Sequence, residues 1–361
     1  MNRAMRAGLA VLVFSAAPAA AQEVVNVYNW SDYIDQGIID DFENETGIDV
    51  VYDVFDSNDI LETKLLAGST GYDVVVPSHG FLSRQIQAGV FQPLDKSQLP
   101  NLDNMWPLIN ERLEVFDPDN QYSVNYMWGT TAFGYNADMV NERIPEAPVN
   151  SWDLVFDPEN LAKLADCGVY FLDSADEVIP LVMNYLGMDP DSKNPDDFEK
   201  AGEHLMKLRP HVRKFHSSEY ISALANGDIC LAIGWSGDIL QAADRALEAE
   251  NNVSVVYTIP KEGAQLWFDQ FAIPKDAPHP DNAHAFINFM MRPEMMARAT
   301  NYIYFANGNL ASQEFVYPEI LGDTAIYPDD ETMDRLFVVR TYGPREQRAL
   351  NRVWTRVKTG Q

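Results

Sequence analysis

Short apolar runs that read as strands alternate with amphipathic runs that read as helices, in two successive sets with no flexible linker between them. VVNVYNW (24–30) precedes GIIDDFENETG (37–47), IDVVYDVF (48–55) precedes SNDILETKLLAG (57–68), and YDVVVPS (72–78) precedes FLSRQIQAG (81–89). Gly47 reads as a helix C-cap, Ser57 as an N-cap and Gly68 as a stop. The second set repeats the style. CGVYFLD precedes SADEVIPLVMNYLG, DICLAIGW precedes SGDILQAADRALEAE, and VSVVYTIP precedes QLWFDQFAIP. Such alternation implies a parallel sheet with helices on its faces. Two such units without a Pro/Gly/Ser tether imply lobes joined by strands that cross between them. YSVNYMWGTTAFGYN (122–136) and VSVVYTIPKEG (253–263) are the expected crossings. A cleft between two lobes is a natural ligand site.

The first residues, MNRAMRAGLAVLVFSAAPAAA (1–21), carry Arg3 and Arg6, an apolar stretch from Ala7 to Ala16 and a small-residue cleavage site before Gln22. This is the pattern of a Sec-type signal peptide. Its apolar stretch is too short for a membrane span, and no later run reaches the length of one. The chain is therefore expected in the periplasm. Export bears on the two cysteines, Cys167 and Cys230. A small even number in an oxidising compartment suggests one disulfide, the alternative being two buried free thiols.

Charge removes whole function classes. The chain has 54 acidic against 26 basic residues, a formal net charge of −28. Phosphate backbones and anionic membrane surfaces would be repelled, so no nucleic-acid partner is expected. Catalytic motifs fail in turn. GWSGD (234–238) has Asp238 where a nucleophile elbow needs glycine. No dinucleotide fingerprint, P-loop or HExxH appears. DPDNQ (117–121) lacks the glycine and terminal glutamate of an EF-hand loop. The histidines are scattered, so no metal site is expected, and no cofactor or catalytic residue is assigned.

What remains is a set of aromatic and carboxylate residues where strands should end. Trp30, Ser31, Asp32 and Tyr33 follow the first strand, and Ser78 follows the third. Glu177 starts a helix. Trp235 and Asp238 lie in GWSGD, and Trp267 and Asp269 in LWFDQF. In open α/β sheets ligands bind outside the carboxyl ends of strands. An alkyl ammonium taken from water needs a carboxylate partner, and aromatic faces attract it further while covering methylenes. Carboxylates at both ends with tryptophan walls between them suit a linear diamine. Taken singly, Asp32, Asp238 and Glu177 read equally well as helix-start residues, and the tryptophans as core. Asp269 differs, because it interrupts an otherwise apolar strand.

The stretches NVYNWSDYI, GYDVVVPS, GVYFLDSADEV, KFHSSEYISALANGDICLAIGWSGD, TIPKEGAQLWFDQFAIP and FANGN occur in order along nearly the whole chain after residue 21. In them the sequence resembles the periplasmic polyamine-binding receptors of ABC importers, the putrescine/spermidine-binding solute-binding family. The resemblance implies an α/β chain with the type II periplasmic-binding-protein fold. Lobe 1 is expected at 22–131 plus 258–310 and lobe 2 at 132–257 plus 311–361. It implies a receptor, not an enzyme, that hands polyamine to inner-membrane ABC permease subunits and acts as a monomer. A same-fold receptor for another cationic amine such as agmatine is the alternative. Cys167 and Cys230 match a cysteine pair of the putrescine receptors.

The family's ligand contacts carry over to Trp30, Ser31, Asp32, Tyr33, Ser78, Glu177, Ser217, Trp235, Asp238, Trp267 and Asp269. Phe305 stands where the family often has tyrosine, which removes one hydroxyl contact. The resemblance is divided on ligand length. Trp267 is similar to spermidine-preferring receptors, whereas Asp238 and the small Gly80 are similar to putrescine receptors.

Overall fold

The computed structural model describes residues 23–361, so the signal peptide expected at 1–21 lies outside the described residues. The strands are β1 (Val24–Trp30), β2 (Asp49–Phe55), β3 (Val74–Val75), β4 (Ser123–Asn136), β5 (Val169–Phe171), β6 (Lys214–Phe215), β7 (Leu231–Trp235), β8 (Val255–Thr258), β9 (Gln265–Ala272) and β10 (Ala306–Asn307). They form one 10-stranded sheet in the order β2-β1-β3-β9-β4-β7-β5-β6, with β8 and β10 also pairing with β4.

The local signals act as their chemistry dictates. Gly47 ends the helix Gln36–Thr46 at φ 72°, a left-handed position that costs glycine nothing. The Ser57 hydroxyl accepts from the amide of Ile60 to start the helix Asn58–Ala67.

Each half of the sheet has a parallel set, and the two sets meet on antiparallel strands. β1 runs parallel to β2 and β3. β5 runs parallel to β6 and β7. Between them β4 is fourteen residues long and buried throughout. Its first part pairs with β9, from Ser123 opposite Ala272 to Thr131 opposite Gln265. Its second part pairs with β7, from Thr131 opposite Trp235 to Tyr135 opposite Leu231. β4 therefore belongs to both lobes, as expected of 122–136.

The second expected crossing is displaced. Within 253–263 only β8 is strand, and it stays beside the far end of β4, opposite Phe133–Asn136. A turn closed by the Gly263 amide on the Pro260 carbonyl (2.9 Å) then delivers the chain to β9, which makes the long return. Gly263 sits at φ 99°, and a Cβ there would fall 2.1 Å from the Arg335 carbonyl oxygen, so the turn needs glycine.

Each lobe has its own core. One gathers Val27, Phe42, Phe271, Phe286 and Met290 around the β1 half. The other gathers Phe133, Trp152, Phe156, Phe171 and Phe198 around the β5 half, and takes in Leu350, Val353 and Trp354 of the C-terminal helix Pro344–Thr359. Trp235 packs against both. Cys167 and Cys230 are joined in a disulfide across 63 residues of sequence, inside the second core. No helix among the described residues is long and apolar enough to cross a membrane.

Candidate functional site

The site forms where strands of both lobes end at the crossing. Alternation along β9 puts Trp267 and Asp269 on one face, while Leu266 and Phe268 enter a separate apolar cluster behind the crossing. The backbone at Asp269 is fixed from two sides. The Asn125 side-chain amide donates to its carbonyl (3.0 Å) from the irregular stretch of β4, and Ser78 forms an antiparallel bridge with it. Ser78 opens the helix His79–Gln87 without capping it, because its hydroxyl donates to Asp269 Oδ1 at 2.6 Å instead. The Tyr33 hydroxyl donates to Asp269 Oδ2 at 2.8 Å. From the other lobe, Asp238 lies in the first turn of the helix Ser236–Glu248 and accepts from the Tyr220 hydroxyl at 2.7 Å. Glu177, in the first turn of Ala175–Tyr185, accepts from the Trp235 indole (2.8 Å) and from the Thr131 hydroxyl.

Asp238 and Asp269 are buried, at 6% and 4% exposure. Glu177 is partly buried. Among the described residues none of the three has an ion-pair partner; hydroxyl and indole donors alone reach them. Burial therefore dominates their protonation. The Asp269 carboxyl is pushed up to about 7 by desolvation first, against the lowering by Ser78 and Tyr33. Asp238 is likewise pushed up to about 7, again by desolvation first, with Asp32 and Asp269 adding negative charge nearby. Desolvation also raises Glu177.

These groups line a cleft of about 820 Å³, part of it open to solvent. Its walls are aromatic. Trp30 and Trp235 meet edge to face at 5.5 Å, Tyr33 and Phe305 at 5.3 Å, and Trp267 and Phe305 at 5.2 Å. The Trp30 indole is spent on the Val76 carbonyl (2.9 Å), whereas the buried Trp267 Nε1 has no partner among the described residues. The arrangement can take cations from water and cover a short apolar chain between them. Among the described residues no cluster of histidine, cysteine and carboxylate side chains could hold a metal ion.

Residues 37–329 match the family described as bacterial extracellular solute-binding protein. The chain belongs to this family. This solute-binding protein is 53% identical to a putrescine-binding periplasmic protein of Pseudomonas aeruginosa, over 98% of this chain and 96% of that one. It is 50% identical to a putrescine-binding periplasmic protein of Escherichia coli, over 98% and 96% of the two chains. Among solved structures it is similar to a putative spermidine/putrescine ABC transporter protein of Listeria monocytogenes. That comparison has a TM-score of 0.84 and 35% identity, and covers 94% of this chain and 100% of that one. The fold is that of periplasmic binding proteins, and the close relatives are receptors rather than enzymes.

The cleft of this solute-binding protein gathers every residue expected from the sequence except Asp32 and Ser217. Asp32, held at φ 54°, turns its carboxylate outside the cleft to Arg245 of the opposite lobe, 2.7 Å away. Ser217 lines a neighbouring depression with Asp59, Trp354 and Lys358, and its hydroxyl oxygen accepts from the Asp173 amide. The cleft also has residues the sequence reading missed: Phe81, Arg84, Asp176, Gln265 and the segment Val339–Tyr342. Arg84 and Asp176 lie on amphipathic helices, where a charge reads as solvated. The segment 339–342 has no periodicity, and it is held over the cleft by the Thr341 hydroxyl on the Gly80 carbonyl (3.2 Å).

Proposed function

We propose that this protein is the periplasmic receptor of an ABC importer, that it binds polyamines in the inter-lobe cleft, putrescine foremost, and that it delivers them to membrane permease subunits. The observation that carries this reading is the trio Asp238, Asp269 and Glu177, gathered in an aromatic cleft with no ion-pair partner among the described residues. Buried carboxylates are kept in such a place when something brings the missing charge. A linear diamine does so at both ends, and its methylenes lie against Trp30, Trp235 and Trp267. An α-amino acid would need a basic side chain free for its carboxylate, and the two arginines that line the cleft, Arg84 and Arg340, are already paired with Glu62 and Asp191. The relatives at 50% identity or more are named for putrescine, which makes agmatine the weaker alternative.

The lobes, 22–131 with 258–310 and 132–257 with 311–361, close on the ligand, which shifts an open–closed equilibrium toward closed. The receptor works as a monomer.

The test is isothermal titration of refolded, ligand-stripped protein with putrescine, spermidine, cadaverine, agmatine and arginine. Saturable one-to-one binding of putrescine or spermidine, and none of arginine, is the expected result. Folded protein that gives no heat with either polyamine sinks the proposal.

A further inference from the structure

Beyond Glu177 the cleft has a second acidic end, and that end already has a cation of its own. Arg84 forms a two-pronged pair with Glu62, Nε to Oε1 at 2.6 Å and Nη2 to Oε2 at 2.9 Å. Its Nη1 lies 3.7 Å from Asp176 Oδ2 and donates to Gln347 Oε1 at 3.1 Å. Gln347 in turn donates to Asp176 Oδ1 at 3.0 Å. The guanidinium is 3.7 Å from the centre of the Phe81 ring, so it is fixed from below as well.

Four carboxylates line the cleft, Asp238, Asp269, Glu177 and Asp176, and Glu62 stands behind Asp176 through Arg84. The first three have no ion-pair partner among the described residues, while Asp176 and Glu62 share Arg84. Arg340 also lines the cleft, but its side chain is 68% exposed and paired with Asp191. At the same end the Tyr342 hydroxyl is buried and has no hydrogen-bond partner among the described residues. Asp176 and Tyr342 thus offer the cleft acceptors for one more ammonium, and the resident cation Arg84, anchored on Glu62, already sits beside them.

We propose that Arg84 sets the ligand's length: its guanidinium holds the place a third amine would take, so the cleft accepts a diamine and discriminates against a triamine. This inference rests on the polyamine reading above. The third ammonium of spermidine would have to displace a guanidinium held by two carboxylates and a ring, or approach it unscreened in a partly desolvated site. Putrescine ends before it, on the carboxylates that lack a cation.

Titrating putrescine and spermidine into wild type, Arg84→Met and Arg84→Lys tests this. Met keeps the aliphatic cover over Phe81 and removes the charge; Lys keeps the charge. The ratio of spermidine to putrescine Kd should fall tenfold or more in Arg84→Met and stay near wild type in Arg84→Lys. Equal weakening of both amines, or an unchanged ratio, overturns the proposal and leaves Arg84 as a brace between lobes. Should Arg84→Met not fold, Arg84→Gln, which retains a donor for Glu62, is read by the same ratio. Folded wild type that binds neither amine overturns the polyamine reading itself, an outcome distinct from an unchanged ratio.

Discussion

At the scale of single residues, Asp238 and Asp269 hold the balance of the site. Each is buried, each is held by neutral hydroxyls, and each is pushed up to about 7 by desolvation. An ammonium ligand needs them ionised, so binding releases protons. Affinity for putrescine should fall at least tenfold between pH 8 and pH 6, measured by titration in buffers of differing ionisation heat. Asp238→Asn and Asp269→Asn should each weaken binding tenfold or more and flatten this profile. Two variants that bind like wild type would place the ligand elsewhere. The same groups act in the opposite sense on the empty protein. Their folded-state values lie above the ordinary aspartate value of about 3.9, so their contribution to stability is complete below that value and is lost as pH rises toward 7. The thermal midpoint of ligand-free protein should carry that downward contribution between pH 4 and 7, and Asp269→Asn should reduce it.

At the scale of elements, β4 and β9 set the cleft's shape through close approach. Gly129 of β4 lies opposite Trp267 of β9, and a Cβ there would come within 2.8 Å of the Trp267 ring, 2.9 Å of Ser236 Oγ and 3.0 Å of Phe305. Gly129→Ala should drive both rings toward the ligand space and weaken putrescine binding several-fold, with a smaller effect on the melting point than on Kd. An unchanged Kd would show that the rings relax away from the ligand. In the second lobe, the disulfide ties the residue before the Gly168 turn to the residue leading into β7. Closing a loop of 63 residues is worth about 4 kcal/mol in the loop-entropy account. Cys167→Ser with Cys230→Ser should lower stability by up to that amount in denaturant titration, and leave putrescine affinity near wild type because neither cysteine lines the cleft.

At the scale of the whole molecule, contacts reach across the cleft from lobe to lobe. Asp32 meets Arg245 at 2.7 Å, Arg84 meets Gln347 at 3.1 Å, and Thr341 meets Gly80 at 3.2 Å. These bonds require the lobes to be close together, and ligand adds to them from inside. Putrescine should therefore reduce the radius of gyration in small-angle scattering of stripped protein, and equal radii with and without ligand would rule out closure. Most of the architecture was legible in the sequence because it is local. Alternating apolar runs, Gly47 at a left-handed position and Ser57 as a cap specify strands and helices through backbone sterics and hydrogen bonding within a few residues. Asp269 was legible for the same reason, as a charge interrupting an apolar strand. What the sequence left open depends on partners far along the chain. The return crossing lay in β9 rather than at 253–263 because the turn at Gly263 delays it. The carboxylate of Asp32 faces Arg245, 213 residues away, and Arg84 meets Gln347 across 263 residues. By itself the sequence determined the elements, the two lobes and an acidic, aromatic rim. Only the tertiary structure decided which carboxylates keep a cation and which do not, because that depends on which distant side chains packing brings within a few ångströms of one another.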